Sequence, residues 1–505
     1  MRSRKAFKNT IYALVFQVTS VIAGFIIPRA IIGGFGSAEY GLTVAITNFL
    51  GYMFLLRSGL GSVVTASLYK PLAEQDQEGI ERILEATEHC FRRIAYMSVI
   101  YMIVLSILMA IIVKGDWGYG FVAGMVAVVG LGFYGRYFYS SPYQLLATAD
   151  QNEYLHTLSQ IMAVLGNTML VLLLIHLGAS LHVVMLGSGL VYFGAAHLLK
   201  RFVIKKYAIK KPSGRFDSGF LQQRWAGIGH SMARFIHNKT DVVVITLFLN
   251  LPMVTIYALY ALVTAALNMV ITSVVTPAQA ALGNILAKGE NKLLQTNFVA
   301  YETVVHMISI VLFSSAYILI LPFMKIYTSA LGEGNFIQPL FAMLLLTGEL
   351  IFCLRLPYDT IVMAAGRFKD TQNGAFIEAG LNLALSIILV YSFGLIGVVI
   401  GTVVSILFRL IYFMIFLHNN ILYLRYAKII KRMAISAISV LLNVSIMWKI
   451  AQRLTLDTLS GWLAGAVIIT ICTATVTLAI HLLFYGREVS YCMSIFRDIS
   501  RKKAM

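Results

Sequence analysis

Acidic residues are scarce in this chain, with 22 Asp and Glu against 40 Lys and Arg in 505 residues, and residues of either charge make up only 12%. Because 59% of the chain is hydrophobic, too little polar side chain remains to cover a water-soluble surface, and a soluble globular class is excluded. Cysteine is rare as well. Cys90, Cys353, Cys472 and Cys492 show no metal-ligand spacing and none lies in an outward connection, so free thiols are expected and no metal site or disulfide. No P-loop, GxSxG or HExxH is present, which leaves ATP hydrolysis and those hydrolase chemistries without support. A cleavable signal is also lacking: the basic start MRSRKAFKN leads into a full-length apolar segment and is expected to stay in the cytoplasm.

What the chain does have is long apolar segments. Fourteen are expected, over 11–33, 41–68, 93–113, 117–140, 154–177, 179–199, 225–249, 254–280, 300–324, 336–357, 373–393, 395–417, 433–452 and 461–484. A helix needs ~20 residues to cross ~30 Å of hydrocarbon, and each segment is about that long. Lys and Arg outside them fall almost entirely in alternate connections; the opposite loops hold only Lys114, Lys325, Lys449 and Arg453. That bias is the positive-inside signature of a polytopic membrane protein. It also accounts for the net charge of +18, which meets anionic headgroups and does not point to nucleic acid. An even number of spans puts both termini in the cytoplasm.

An internal repeat organises the spans. LAEQDQEGI begins at Leu72 and LAKGENKLL at Leu286, an offset of 214, each after the second span of its half. Pro142-Tyr143 and Pro357-Tyr358 follow the fourth spans at an offset of 215. The expected fold is therefore all-α with 14 transmembrane helices: two parallel six-helix repeats and two further helices. The division runs 1–199 for the first lobe, 200–224 for a basic inter-lobe loop, 225–417 for the second lobe and 418–505 for the last two helices and a basic tail.

Charges inside the spans carry the chemistry, since an Arg at the bilayer centre costs about 2.5–3.5 kcal/mol unless protein or water houses it. Arg57 is the deepest, in YMFLLRSGLGSVV, with Ser58, Gly59 and Gly61 leaving room for close approach. The structural alternative is a buried ion pair. In the seventh span His230, Arg234, His237, Asn238 and Asp241 recur at helical spacing on one face, with Lys239 elsewhere on the helix. They form either a cavity lining or a self-satisfied network. Glu349 and Glu378 are the embedded acids, read as coupling-ion ligands or as partners of buried Arg. Arg136 and Arg355, near the cytoplasmic ends of spans four and ten, are read as snorkelling; Arg409 is intermediate. The excess of fixed cations favours an anionic substrate group, and the planar fork of Arg suits phosphate.

The opening FQVTSVIAGFIIPRAIIGGFGSAEYGLTVAITNFLGYMFLLRSGLGSVVTASLYKPLAEQD resembles the Wzx-type polysaccharide flippases of the multidrug/oligosaccharidyl-lipid/polysaccharide exporter superfamily. NKTDVVVITLFLNLPMVTIYALY and SPYQLLATADQNEY share the resemblance. It implies a two-lobed helical bundle around a cavity that moves undecaprenyl-pyrophosphate-linked oligosaccharides to the outer leaflet of the bacterial cytoplasmic membrane by alternating access, without enzymatic chemistry. Arg29 and Arg57 match by position the cavity arginines of related lipid II flippases, and Arg234 and Lys239 stand in for a second cationic cluster. The repeat partner of Arg57 falls near Ile271, and span eight holds no Arg. Asp241, His237, Asn238, Glu349 and Glu378 are the polar candidates for coupling or structure. A proton or Na⁺ gradient is the expected energy source, with no cofactor or metal. Expected partners are the lipid-linked oligosaccharide, membrane lipids and the pathway's polymerase and related proteins. Two rivals differ in class. A cation-coupled drug exporter would line its cavity with acids and aromatics, and a membrane enzyme on the same carrier would need a larger outward loop.

Overall fold

In hydrocarbon the backbone has to satisfy its own polar groups, and helices do so segment by segment. The computed structural model is helical throughout the elements it describes, covering residues 2–57, 60–113, 117–210, 240–331, 335–367, 369–423 and 426–504. The side chains of 2–4, 6, 56, 57, 276 and 495–504 are outside that description. The chain divides into two compact units, Met1–Leu259 and Tyr260–Met505. The first contains α1 (Arg2–Phe35), α2 (Ser37–Gly51), α3 (Phe54–Arg57), α4 (Leu60–Glu74), α5 (Gln77–Ile112), α6 (Tyr119–Gly135), α7 (Ser141–Ala149), α8 (Tyr154–His176), α9 (Leu181–Lys206) and α10, helical over 240–248. Helix α11 (Leu251–Ala287) begins there and runs into the second unit, which holds α12 (Asn291–Thr328), α13 (Pro339–Ala364), α14 (Gln372–Phe393), α15 (Leu395–Asn420), α16 (Tyr426–Ala451) and α17 (Leu459–Ala504).

Among the described residues, 12 helices are long and apolar enough to cross a membrane. The chain is a multi-pass membrane protein. Two expected spans are outside that number for different reasons. Most of 225–249 lies outside the described residues. The expected span 41–68 is interrupted after α2, at Tyr52 and Met53. At the break the bonding tightens to i→i+3, with Tyr52 N donating to Phe49 O and Leu55 N to Tyr52 O, both at 3.0 Å. The Tyr101 hydroxyl donates to Phe49 O at 2.8 Å and helps satisfy that carbonyl.

A second irregularity lies in the fourth span. Pro142 has no N–H for the carbonyl four residues back, so the helix passes through a π-helical turn, Arg136–Ser140, before α7. The Ser141 N–H donates to Arg136 O, and the Ser141 hydroxyl reaches the same oxygen at 3.1 Å.

Lipid tails are as apolar as Leu, so small residues that let backbones meet do much of the packing. A Cβ on Gly189 would sit 2.7 Å from Val128 O, and one on Gly135 would sit 2.7 Å from the Phe193 ring, which shows how closely α6 and α9 approach. In the second unit, α14 and α15 turn at Gly394, whose φ of 57° suits a residue without Cβ. They stay so close that a Cβ on Gly397 would overlap Leu389 O.

Candidate binding site and buried charges

The first unit holds a half-open cavity of about 260 Å³. Its walls come from α2 (Thr47), α6 (Gly132, Phe133), the π turn (Arg136, Ser140), α8 (Gln160) and α9 (Met185, Ser188, Tyr192, Ala196). The α6–α9 contact explains the space: glycines bring the two backbones together, and the π turn then rotates Arg136 and Ser140 onto the wall. Hydroxyls, one amide and one guanidinium therefore face an otherwise apolar chamber. Such a site suits a ligand that carries a negative group and hydrogen-bonding hydroxyls. Arg136, for which the sequence predicts snorkelling, is exposed and is one of the residues that line this cavity.

The other candidate residues are dispersed. Arg29 follows the buried Pro28 in α1 and is exposed. The backbone of Arg57 belongs to α3 and its side chain lies outside the described residues, as do Arg234, Lys239, His230, His237 and Asn238 entirely. Asp241 is buried in α10 and accepts a hydrogen bond from the Tyr257 hydroxyl at 3.0 Å. Glu349 accepts from Asn268 at 2.6 Å, and the Asn268 carbonyl in turn accepts from the Cys353 thiol at 2.9 Å.

Glu378 is gripped from two sides, by Arg355 at 2.5 Å and by Arg409 at 3.6 Å. Gly374 makes room for this, because a Cβ there would overlap the Arg409 guanidinium. Arg409 also donates to Thr371 O at 2.9 Å. Arg355 is 7% exposed, so the snorkelling expected of it gives way to a buried ion pair. The cause is its neighbour across the helix contact, which spacing along one helix cannot disclose.

Two further clusters escaped the sequence reading because their charges lie near span ends. In the first unit the Tyr143 hydroxyl donates to Glu88, and Lys200 pairs with the same carboxylate oxygen at 2.9 Å. In the second unit the Tyr358 hydroxyl donates to Glu302, which pairs with Arg432 at 2.6 Å. Glu302 is 1% exposed. His306 lies one turn further along α12, between Leu354 O (3.1 Å) and the Ser436 hydroxyl (3.2 Å). A carbonyl can only accept, so Nε2 carries the proton and Nδ1 receives one from Ser436. The signal for both clusters was present: Glu88 and Glu302 are 214 apart, and their tyrosines are 215 apart.

At the basic end of α1, Lys5 bonds Asp150 at 3.0 Å, and the Tyr207 hydroxyl donates to the same carboxylate at 2.8 Å. Burial above all, with the Asp150 carboxylate adding to it, pushes the Tyr207 phenol up, so it remains a donor. Among the described residues no cluster of His, Cys, Asp and Glu is arranged to hold a metal.

Neither a protein-family model nor a curated protein matches the sequence. Solved structures do. The lipid II flippase MurJ, in an inward closed conformation, matches with a TM-score of 0.72 at 14% identity, over 95% of this chain and 100% of that one. An inward-facing MATE family multidrug resistance transporter of the MOP superfamily gives 0.58 at 13% identity, over 79% of this chain and 94% of its own. A point mutant of the MATE transporter VcmN from Vibrio cholerae gives 0.57 at 13% identity, over 84% and 99%. All three are transporters or flippases; at these identities the likeness is one of fold, and the fold of this chain is that of MurJ and the MATE transporters.

Proposed function

We propose that this chain is a Wzx-type flippase, carrying undecaprenyl-pyrophosphate-linked oligosaccharides from the inner to the outer leaflet of the bacterial cytoplasmic membrane for polysaccharide synthesis. The observation that carries the reading is the extent of the fold likeness. It spans the whole lipid II flippase and 95% of this chain, whereas the two MATE transporters cover 79% and 84% of it. Site chemistry agrees. Arg136 offers a two-pronged contact for a phosphate, and Ser140, Ser188, Gln160 and Tyr192 offer partners for sugar hydroxyls. A volume of about 260 Å³ is near the small end of ligand sites, so the diphosphate and the proximal sugar fit this chamber and the rest of the glycan lies elsewhere. The interrupted second span adds support: irregular backbone at membrane depth, here at Tyr52 and Met53, is tolerated where it is buried in protein or lines a cavity.

The architecture we propose is fourteen spans: the 12 long helices, the segmented α2–α4, and a seventh span that includes α10. Residues 1–199 and 225–417 form parallel repeats, and 418–505 is an addition. Helix starts support the repeat, since Gln77 and Asn291 open α5 and α12 at an offset of 214, as Leu181 and Leu395 open α9 and α15. Both termini face the cytoplasm, transport proceeds by alternating access, and a proton or Na⁺ gradient drives it. The polymerase of the pathway and its associated proteins are the partners that receive the cargo.

Mass spectrometry of polyprenyl-linked lipids in cells depleted of the protein tests this. An undecaprenyl-pyrophosphate oligosaccharide should accumulate on the cytoplasmic side. An unchanged lipid pool together with new sensitivity to organic cations would replace the flippase by a drug exporter.

A further inference from the structure

We propose that Lys200 is a second phosphate contact of the first-unit cavity, held in reserve by Glu88 until a diphosphate displaces it. The inference rests on the flippase reading and names a residue and a ligand group within it. Met185, Ser188, Tyr192 and Ala196 bring α9 along the cavity at spacings of three and four, so they share one helix face. Lys200 is the next residue of that stripe, four beyond Ala196 and about 6 Å further along the axis. The facing wall descends in step: Arg136 and Ser140 line the cavity, and Tyr143 follows on α7 against Lys200, whose ammonium lies 5.0 Å from the ring centre. The cavity thus has one cation in its wall and a second just below it. That second cation is engaged with Glu88 at 2.9 Å, and both side chains keep partial exposure, 22% for Lys200 and 14% for Glu88.

The second unit shows that the carboxylate–phenol pair does not need a cation from this helix. Tyr358 and Glu302 repeat the pair, but their cation is Arg432 from α16. The position 214 residues after Lys200 is Met414, an uncharged residue on α15. Between these two positions, the lysine is on the first-half helix, which lines the cavity described above. Release of Lys200 leaves Glu88 supplied as well, because the Tyr143 hydroxyl stays on it and Arg92 lies one turn along α5.

A diphosphate has two phosphoryl groups, so one meets the Arg136 fork while the other reaches the Lys200 ammonium. A monophosphate meets Arg136 alone. In exchanging Glu88 for phosphate, Lys200 removes an ion pair between α5 and α9, while the Tyr143–Glu88 bond still ties α5 to α7. Binding and the loosening of α9 are then one event.

The test is equilibrium binding of undecaprenyl pyrophosphate, undecaprenyl phosphate and neutral undecaprenol to the full chain in nanodiscs, with a melting curve for each variant. Lys200→Gln should weaken diphosphate binding about tenfold, the scale of one lost charge-assisted hydrogen bond, and leave the monophosphate within about twofold. Glu88→Gln should tighten the diphosphate several-fold, and Lys200→Arg should bind as the parent does. The proposal is overturned if Lys200→Gln binds the diphosphate as the parent does, or loses both lipids equally, or if a folded Glu88→Gln binds more weakly. Should the parent chain fail to prefer either phosphate over undecaprenol, the flippase reading itself falls and this contact with it.

Discussion

At the scale of single residues, the question is which buried charges hold the protein together and which handle cargo. Arg355, Glu378 and Arg409 are a structural set by their geometry, since the carboxylate is shared by two guanidinium groups, each less than a tenth exposed. Removing one member of a buried pair costs about 3–5 kcal/mol, mostly through the charge left behind. Glu378→Gln should therefore lower the unfolding midpoint sharply in detergent. Replacing the set together, Arg355→Met with Glu378→Leu and Arg409→Met, should restore most of that stability, because apolar substitutes for buried ions are often neutral. A triple variant that stays folded but no longer transports would assign these charges a role in the cycle. Arg136 makes the opposite case: it is exposed and lines the cavity, and none of the residues lining that cavity is acidic. Arg136→Gln should leave abundance and melting unchanged and abolish flipping of a fluorescent polyprenyl-diphosphate glycan in vesicles. Equal transport by parent and variant would remove Arg136 from the site.

Elements show what a sequence can and cannot disclose. Hydropathy places twelve spans because apolar length is a property of one segment, and it is written in that segment alone. The break after α2 is different. The apolar run 41–68 continues through Tyr52 and Met53, and only Gly51 hints at an interruption there. The π turn was signalled by Pro142, but its result, Arg136 on a cavity wall, depends on where α9 lies. Ion pairs are still less legible: Glu302 and Arg432 are 130 residues apart and meet only after folding. The closeness of α6 and α9 is testable by itself. Gly189→Ala puts a methyl group 2.7 Å from the Val128 carbonyl, a backbone atom that cannot swing aside. We expect a loss of about 1–3 kcal/mol from overpacking. At Gly194 of the same helix, where nothing lies within 4 Å of an added Cβ, the same change should be nearly neutral or slightly stabilising. Melting temperatures of the two variants decide it, and equal changes in both would show that the contact with Val128 does not govern.

For the whole molecule, the issue is whether α16 and α17 are an attachment to the second unit or part of its core. Outside the proposed repeat, they nonetheless pack on α12. Met447 and Ile469 are fully buried in one apolar cluster with Ile318 and Leu319. A polar seam runs beside it: Ser315 bonds Thr473 at 2.8 Å, the Trp462 indole donates to Leu319 O at 3.0 Å, and Ser436 meets His306 at 3.2 Å. Arg432 closes the seam on Glu302 and also lies 3.6 Å from Glu488 of α17. Deleting both helices would take Arg432 from Glu302 and leave its carboxylate buried with the Tyr358 hydroxyl still on it. Chain termination after Asn420 should consequently give a protein that is inserted but degraded, and not a smaller working transporter. The informative control is Arg432→Met with Glu302→Gln in the full chain, which removes the ion pair and keeps the apolar contacts. If that variant folds and transports while the truncation does not, the apolar seam is what integrates the two helices. If it fails like the truncation, the Glu302–Arg432 pair is the joint. A stable, active truncation would return α16 and α17 to the status of an attachment.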